Sequence, residues 1–173
     1  LKAGVERFPI RGRFTISRGA KHEAVVVVAT ISDGVHQGRG ECVPYARYGE
    51  SVDSVVAQIE AMRPHLNTGI DRYGLQRAMP PGAARNALDC ALWDLEAKRA
   101  NRPVHEVAEL PTPHALTTAN TISLAAPDVM ARAAEEAAGR SLLKIKLGAE
   151  GDSARIAAVR AAAPQATLIV DAN

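Results

Sequence analysis

Residues 142–147 read Leu-Leu-Lys-Ile-Lys-Leu, and residues 168–173 read Leu-Ile-Val-Asp-Ala-Asn. Both are apolar runs of strand length with charge at fixed places. Side chains alternate along a strand, so Lys144 and Lys146 share one face while Leu143, Ile145 and Leu147 share the other. The apolar face is expected to pack on helices, which turns the lysines toward the opposite side of the sheet. Burying an ammonium is costly unless it is paired. Burial and a neighbouring cation favour the neutral amine, a form that can take a proton from carbon. An edge strand with a solvated lysine face has the same spacing; the flanking helices and strands weigh against it. Asp171 stands at the C-terminal end of its run, where parallel α/β sheets gather ligands and catalytic groups, and Asn173 follows on the same face. An aspartate there also suits a loop or helix cap. Together, a lysine base and a carboxylate that holds a divalent cation are what removal of a proton α to a carboxylate requires. The metal takes up the charge that develops on the carboxylate oxygens.

Outward from these runs the chain alternates. A strand is expected at 115–122, a helix at 128–138 stopped by Gly139, the lysine strand at 142–147, a helix at 153–162 and a strand at 167–170. This β-α-β-α-β order argues for a parallel sheet, in a barrel or a doubly wound form. Upstream, Pro111-Thr-Pro113 reads as a linker. Before it the pattern is antiparallel. Short strand-like runs at 5–10 and 14–16 precede the β-branched run 23–31, and Ser32-Asp33-Gly34 is a hairpin turn leading to a return strand at 35–42. Ser51 reads as an N-cap for a helix whose Val52, Val55, Val56, Ile59 and Met62 share a face, ended or bent by Pro64. A second helix, entered through Pro80-Pro81-Gly82 and closed by Arg102-Pro103, has Ala84, Ala87, Leu88, Ala91, Leu92 and Leu95 at helical spacing. The fold expected is an α+β domain over 1–112, followed over 113–173 by the first strands of an α/β barrel.

Composition limits the partners. The chain has 173 residues, 47% hydrophobic and 23% charged, with 21 basic against 19 acidic side chains. That balance offers little to neutralise a phosphate backbone, so nucleic acid is not the expected partner. No apolar run approaches the ~20 residues of a membrane helix. There is no charged-then-apolar leader, and two cysteines do not make a disulfide framework, so a cytoplasmic setting is expected. Six aromatic residues against 33 alanines suggest closely packed helices. Cys42 and Cys90 read as small packed residues, and the five histidines show no metal-ligand spacing. Gly38-Arg-Gly40 lacks the continuation of a phosphate loop. Tyr45, Arg47, Tyr48 and Glu50 are candidates for a pocket lid or for domain contacts.

The stretches 16–24, 40–50 and 82–97, with the Lys-x-Lys and Asp-x-Asn runs, resemble the enolase superfamily. More narrowly, they are similar to dipeptide epimerases of the L-Ala-D/L-Glu type. The resemblance implies an enolase-like capping domain over 1–112 and the start of a (β/α) barrel over 113–173. It implies a Mg²⁺-dependent isomerase that epimerises the second residue of a dipeptide. Lys146 matches the base on one face of the α-carbon, and Lys144 matches its partner, which contacts the substrate carboxylate. Asp171 matches the first metal ligand, with Asn173 beside it. Thr121 falls at a substrate contact, and Arg18 and Lys21 fall on the loop that reads the substrate's acidic side chain. Lys21 stands where the Ala-Glu enzymes carry an arginine, and a lysine offers a point charge in place of a planar fork. The alternatives are muconate cycloisomerisation, o-succinylbenzoate synthesis, or a non-catalytic module; a homo-oligomer is left open. A complete barrel takes ~250 residues, and an epimerase needs a base on each face of its planar intermediate. The expectation is therefore a piece of a longer polypeptide, inactive and poorly soluble by itself.

Overall fold

The computed structural model describes residues 1–16, 19–148 and 150–172. Two compact units are present. One comprises Leu1–Phe8 and Glu23–Pro113, the other Pro9–His22 and His114–Asn173.

The first unit is built on a sheet of order β1-β2-β3, with β1 at Lys2–Ile16, β2 at Gly19–Ser32 and β3 at Gln37–Cys42. Strands β1 and β2 each contribute residues to both units. The two runs expected at 5–10 and 14–16 are a single strand. Pro9 and Gly12, which has φ 75°, interrupt the sequence signal but are tolerated because β1 is an edge strand. Strands β2 and β3 pair antiparallel, from Val27 opposite Cys42 to Ser32 opposite Gln37. The return strand starts two residues later than expected. The Asp33 carboxylate takes the Val35 and His36 N–H groups at 2.9 and 2.7 Å, which builds the turn and diverts those donors from the ladder.

Five α-helices follow: α1 (Val52–Ala61), α2 (Arg63–Asn67), α3 (Arg72–Ala78), α4 (Ala83–Ala100) and α5 (Val104–Val107). Ser51 and Ser54 form a reciprocal cap on α1. Pro64 does not simply end this helix; it lies in the first turn of α2, where its missing N–H costs little. Helix α4 buries the predicted stripe, with Ala84, Ala87, Leu88, Ala91, Leu92 and Leu95 in a core shared with Val27, Val55, Ile59 and Leu75. Cys42 is buried, but Cys90 is exposed, because it lies off that stripe. Trp93 carries the Arg72 guanidinium 3.4 Å from its ring centroid.

The purpose of Gly38-Arg-Gly40 is close packing. A Cβ at Gly38 would lie 2.0 Å from the Ala91 carbonyl oxygen, and one at Gly40 2.0 Å from that of Ala87. Helix α4 also pairs the outward edge of β3. Asp94 accepts from the Arg39 N–H at 2.8 Å, while Asn86 and Lys98 donate to the carbonyls of Glu41 and Gln37 at 3.1 and 2.7 Å. Glu50, a lid candidate by sequence, is a structural clip. Its carboxylate accepts from Ala83 N–H at the start of α4 (2.7 Å) and from Tyr45 N–H (3.0 Å).

The second unit holds a parallel sheet of order β4-β5-β6, with β4 at Asn120–Ile122, β5 at Leu142–Lys146 and β6 at Thr167–Asp171. Helices α6 (Pro127–Glu136) and α7 (Asp152–Ala162) connect them. The strand expected over 115–122 is cut to three residues. Asn120 pairs with Leu143, so positions 115–118 run past the start of β5 and have no ladder to join there. Ile122, Met130, Ala134, Leu143, Ile145, Leu147 and Val159 form the core. The apolar side of the lysine strand is thus covered as the two-residue period requires. Among the described residues no helix is long and apolar enough to cross a membrane.

Candidate active site

The opposite face of this parallel sheet carries the charge. Register places Thr121 beside Lys144 and Lys146 beside Asp171. Partners in register point the same way, so the four side chains occupy one face near the strands' C-terminal ends. Both ammonium groups reach the same carboxylate oxygen. Lys144 Nζ lies 2.9 Å and Lys146 Nζ 2.6 Å from Asp171 Oδ2. Two ammoniums against one carboxylate leave a local excess of positive charge at the end of the sheet, which favours an anionic ligand.

The two lysines differ in setting. Lys144 has a side chain 37% exposed, that of Lys146 is 11% exposed, and Asp171 is at 25%. The Phe14 ring of β1, in the same unit, has its centroid 5.9 Å from Lys146 Nζ. Lys146 is therefore not turned freely to water. Reasoning from sequence missed Phe14. Its one signal was being an aromatic side chain in a chain with six, on a strand far from the lysines in sequence.

Thr121 is half-buried. Lys21 belongs to this unit through β2 and is exposed. Arg18 and Asn173 lie outside the described residues. Among the described residues no group of three or more His, Cys, Asp or Glu side chains converges on a common metal position. Asp171 nonetheless supplies a hard carboxylate oxygen, and Mg²⁺ takes one or two protein carboxylates while keeping several waters. The donor chemistry fits a partial ligand set.

Residues 3–108 match the family described as mandelate racemase / muconate lactonizing enzyme, N-terminal domain. The chain is 46% identical over 175 residues to an L-Ala-D/L-Glu epimerase of Escherichia coli (strain K12), covering all of this chain and 54% of that protein. A solved enolase family member from Agrobacterium tumefaciens, with homology to dipeptide epimerases and with bound sodium and L-Ala-L-Glu, is 56% identical. It superposes with a TM-score of 0.94, covering 99% of this chain and 53% of that one. A dipeptide epimerase from Enterococcus faecalis V583, complexed with Mg and the dipeptide L-Leu-L-Tyr, is 27% identical with a TM-score of 0.87. Here the coverage is 99% and 52%. The chain spans about half the length of the curated relatives it matches.

Proposed function

Given that this chain belongs to the mandelate racemase / muconate lactonizing enzyme family of the enolase superfamily, we propose that the whole protein is a Mg²⁺-assisted isomerase. In this reading it removes and returns the proton α to a carboxylate, epimerising the second residue of a dipeptide such as L-Ala-L/D-Glu. The observation that carries it is the convergence of Lys144 and Lys146 on Asp171 at the C-terminal ends of parallel strands. The similarity to dipeptide epimerases, one of them solved with L-Leu-L-Tyr, and to an enolase family member solved with L-Ala-L-Glu supports the substrate class.

Residues 1–112 are the capping domain and 113–173 the opening of the barrel. Lys146, as the amine, takes the α-proton from one face of the substrate carbon; as the ammonium, it returns a proton to that face. Lys144 donates to the substrate carboxylate and keeps a second positive charge beside the base. Thr121 lines the same face. Lys21 and Arg18 attract the acidic side chain of the second residue, Lys21 as a point charge. Asp171 would hold Mg²⁺, with Asn173 beside it. Mg²⁺ bound there supplies the positive charge that offsets the negative charge growing on the substrate carboxylate. The setting is the cytoplasm, in keeping with the free thiols Cys42 and Cys90.

The test is a dipeptide library incubated with the whole protein in D₂O and followed by mass spectrometry. Mg²⁺-dependent gain of one deuterium at the second residue, strongest for acidic second residues, is expected. No exchange in any dipeptide overturns the reading.

A further inference from the structure

Lys144 and Lys146 sit two residues apart on one strand, face the same way and bond the same oxygen, yet Lys146 is far less exposed. Lys146 also has the Phe14 ring centroid 5.9 Å from its nitrogen. That distance is within the range at which a cation is attracted to a ring face. The ring's place is set by the backbone beside it. The next residue, Thr15, donates its N–H to Ser123 Oγ at 3.4 Å and accepts from the Leu124 N–H at 3.1 Å. Phe14 is thus anchored to the segment that follows β4, and β4 is the neighbour of the lysine strand.

We infer that Phe14 is a positioning residue for the Lys146 base: its ring is the wall that confines the Lys146 side chain and keeps water from it. The inference rests on the reading of Lys146 as a base. The long lysine stem has four rotatable bonds, and an unconfined stem spreads the nitrogen over many positions. A displacement of ~1 Å at a reacting group can cost ~100-fold in rate. Phe14 touches neither the substrate carbon nor the proton in this scheme and acts only through Lys146.

The experiment uses the whole protein and follows α-proton exchange into D₂O separately from each epimer of a turned-over dipeptide. Phe14→Ala is expected to lower kcat for exchange from the epimer served by Lys146 by about 10- to 100-fold, with KM changed about threefold or less. Exchange from the other epimer, served by the opposite face, is expected to change by about threefold or less. Phe14→Leu keeps apolar bulk and is expected to fall between, and Phe14→Tyr is expected to restore most of the rate. Circular dichroism sets the folded fraction of each variant, and Leu and Tyr serve if Ala does not fold. An equal fall for both epimers, or no fall for either, overturns the proposal. A wild-type protein that exchanges neither epimer of any dipeptide overturns the functional reading instead, and this inference with it.

Discussion

At the scale of single residues, the pair Lys146 and Asp171 has the sharpest consequences. Substituting Lys146 by Ala removes the proposed base from one face only. Exchange from one epimer should fall by about 10²–10⁴-fold, the usual contribution of a general base, while exchange from the other partly survives. NMR of the two dipeptide epimers in D₂O reads this directly, and wild-type-like exchange from both would remove Lys146 from the mechanism. A second residue-scale outcome concerns acid. The His36 N–H, the Arg99 guanidinium and the Val35 N–H all bond the Asp33 carboxylate and hold it well below the usual carboxylate range. In the unfolded chain this group titrates near ~3.9. Its stabilisation is therefore complete above about pH 4 and is lost as pH falls further, where the unfolded state binds the proton first. Asp33→Asn should flatten the acid limb of a stability-versus-pH curve measured by urea denaturation. An unchanged slope below pH 4 would refute it. The shared face of Lys144 and Lys146 was legible because strand period alone decides it. The contact with Phe14 was not, because it depends on where a remote strand is laid by tertiary structure.

At the scale of elements, α4 and β3 behave as one piece. Their backbones approach so closely that only glycine fits at positions 38 and 40. Gly40→Ala forces a methyl against the Ala87 carbonyl and should destabilise the first unit by about 1–3 kcal/mol or more, as overpacking of a tight core does. A thermal melt checks this, and a wild-type midpoint would contradict the packing. The long periodic helix α4 could be read from its alanine and leucine stripe. The short helices α2, α3 and α5 could not, since four to seven residues show less than two turns of pattern. The same limit explains β4. Its residues carry strand preference over a longer span, but the ladder exists only where β5 offers a partner. The contact of Glu50 was illegible for a related reason: a carboxylate in a loop gives no sign in sequence that it will meet the first turn of a helix 33 residues on.

At the scale of the molecule, the alternation of patterns separates two modules of different kind. The chain divides into two compact units in which Pro9–His22 cluster with His114–Asn173. Local pattern reports which elements form, not which unit a strand's residues will cluster with. The pairing of β3 by α4 has a further consequence for how copies of the chain meet. A bare outermost strand is a template on which another chain can polymerise. Here the Arg39 amide and the carbonyls of Gln37 and Glu41 are already spoken for by Asp94, Lys98 and Asn86, so these groups are not open to ladder pairing with a second chain. The Arg39 amide proton should accordingly trade for solvent deuterium at the pace of an interior strand amide, although Arg39 sits on the sheet's last strand. Replacing Asp94 by Ala should release it to the fast exchange of an open edge.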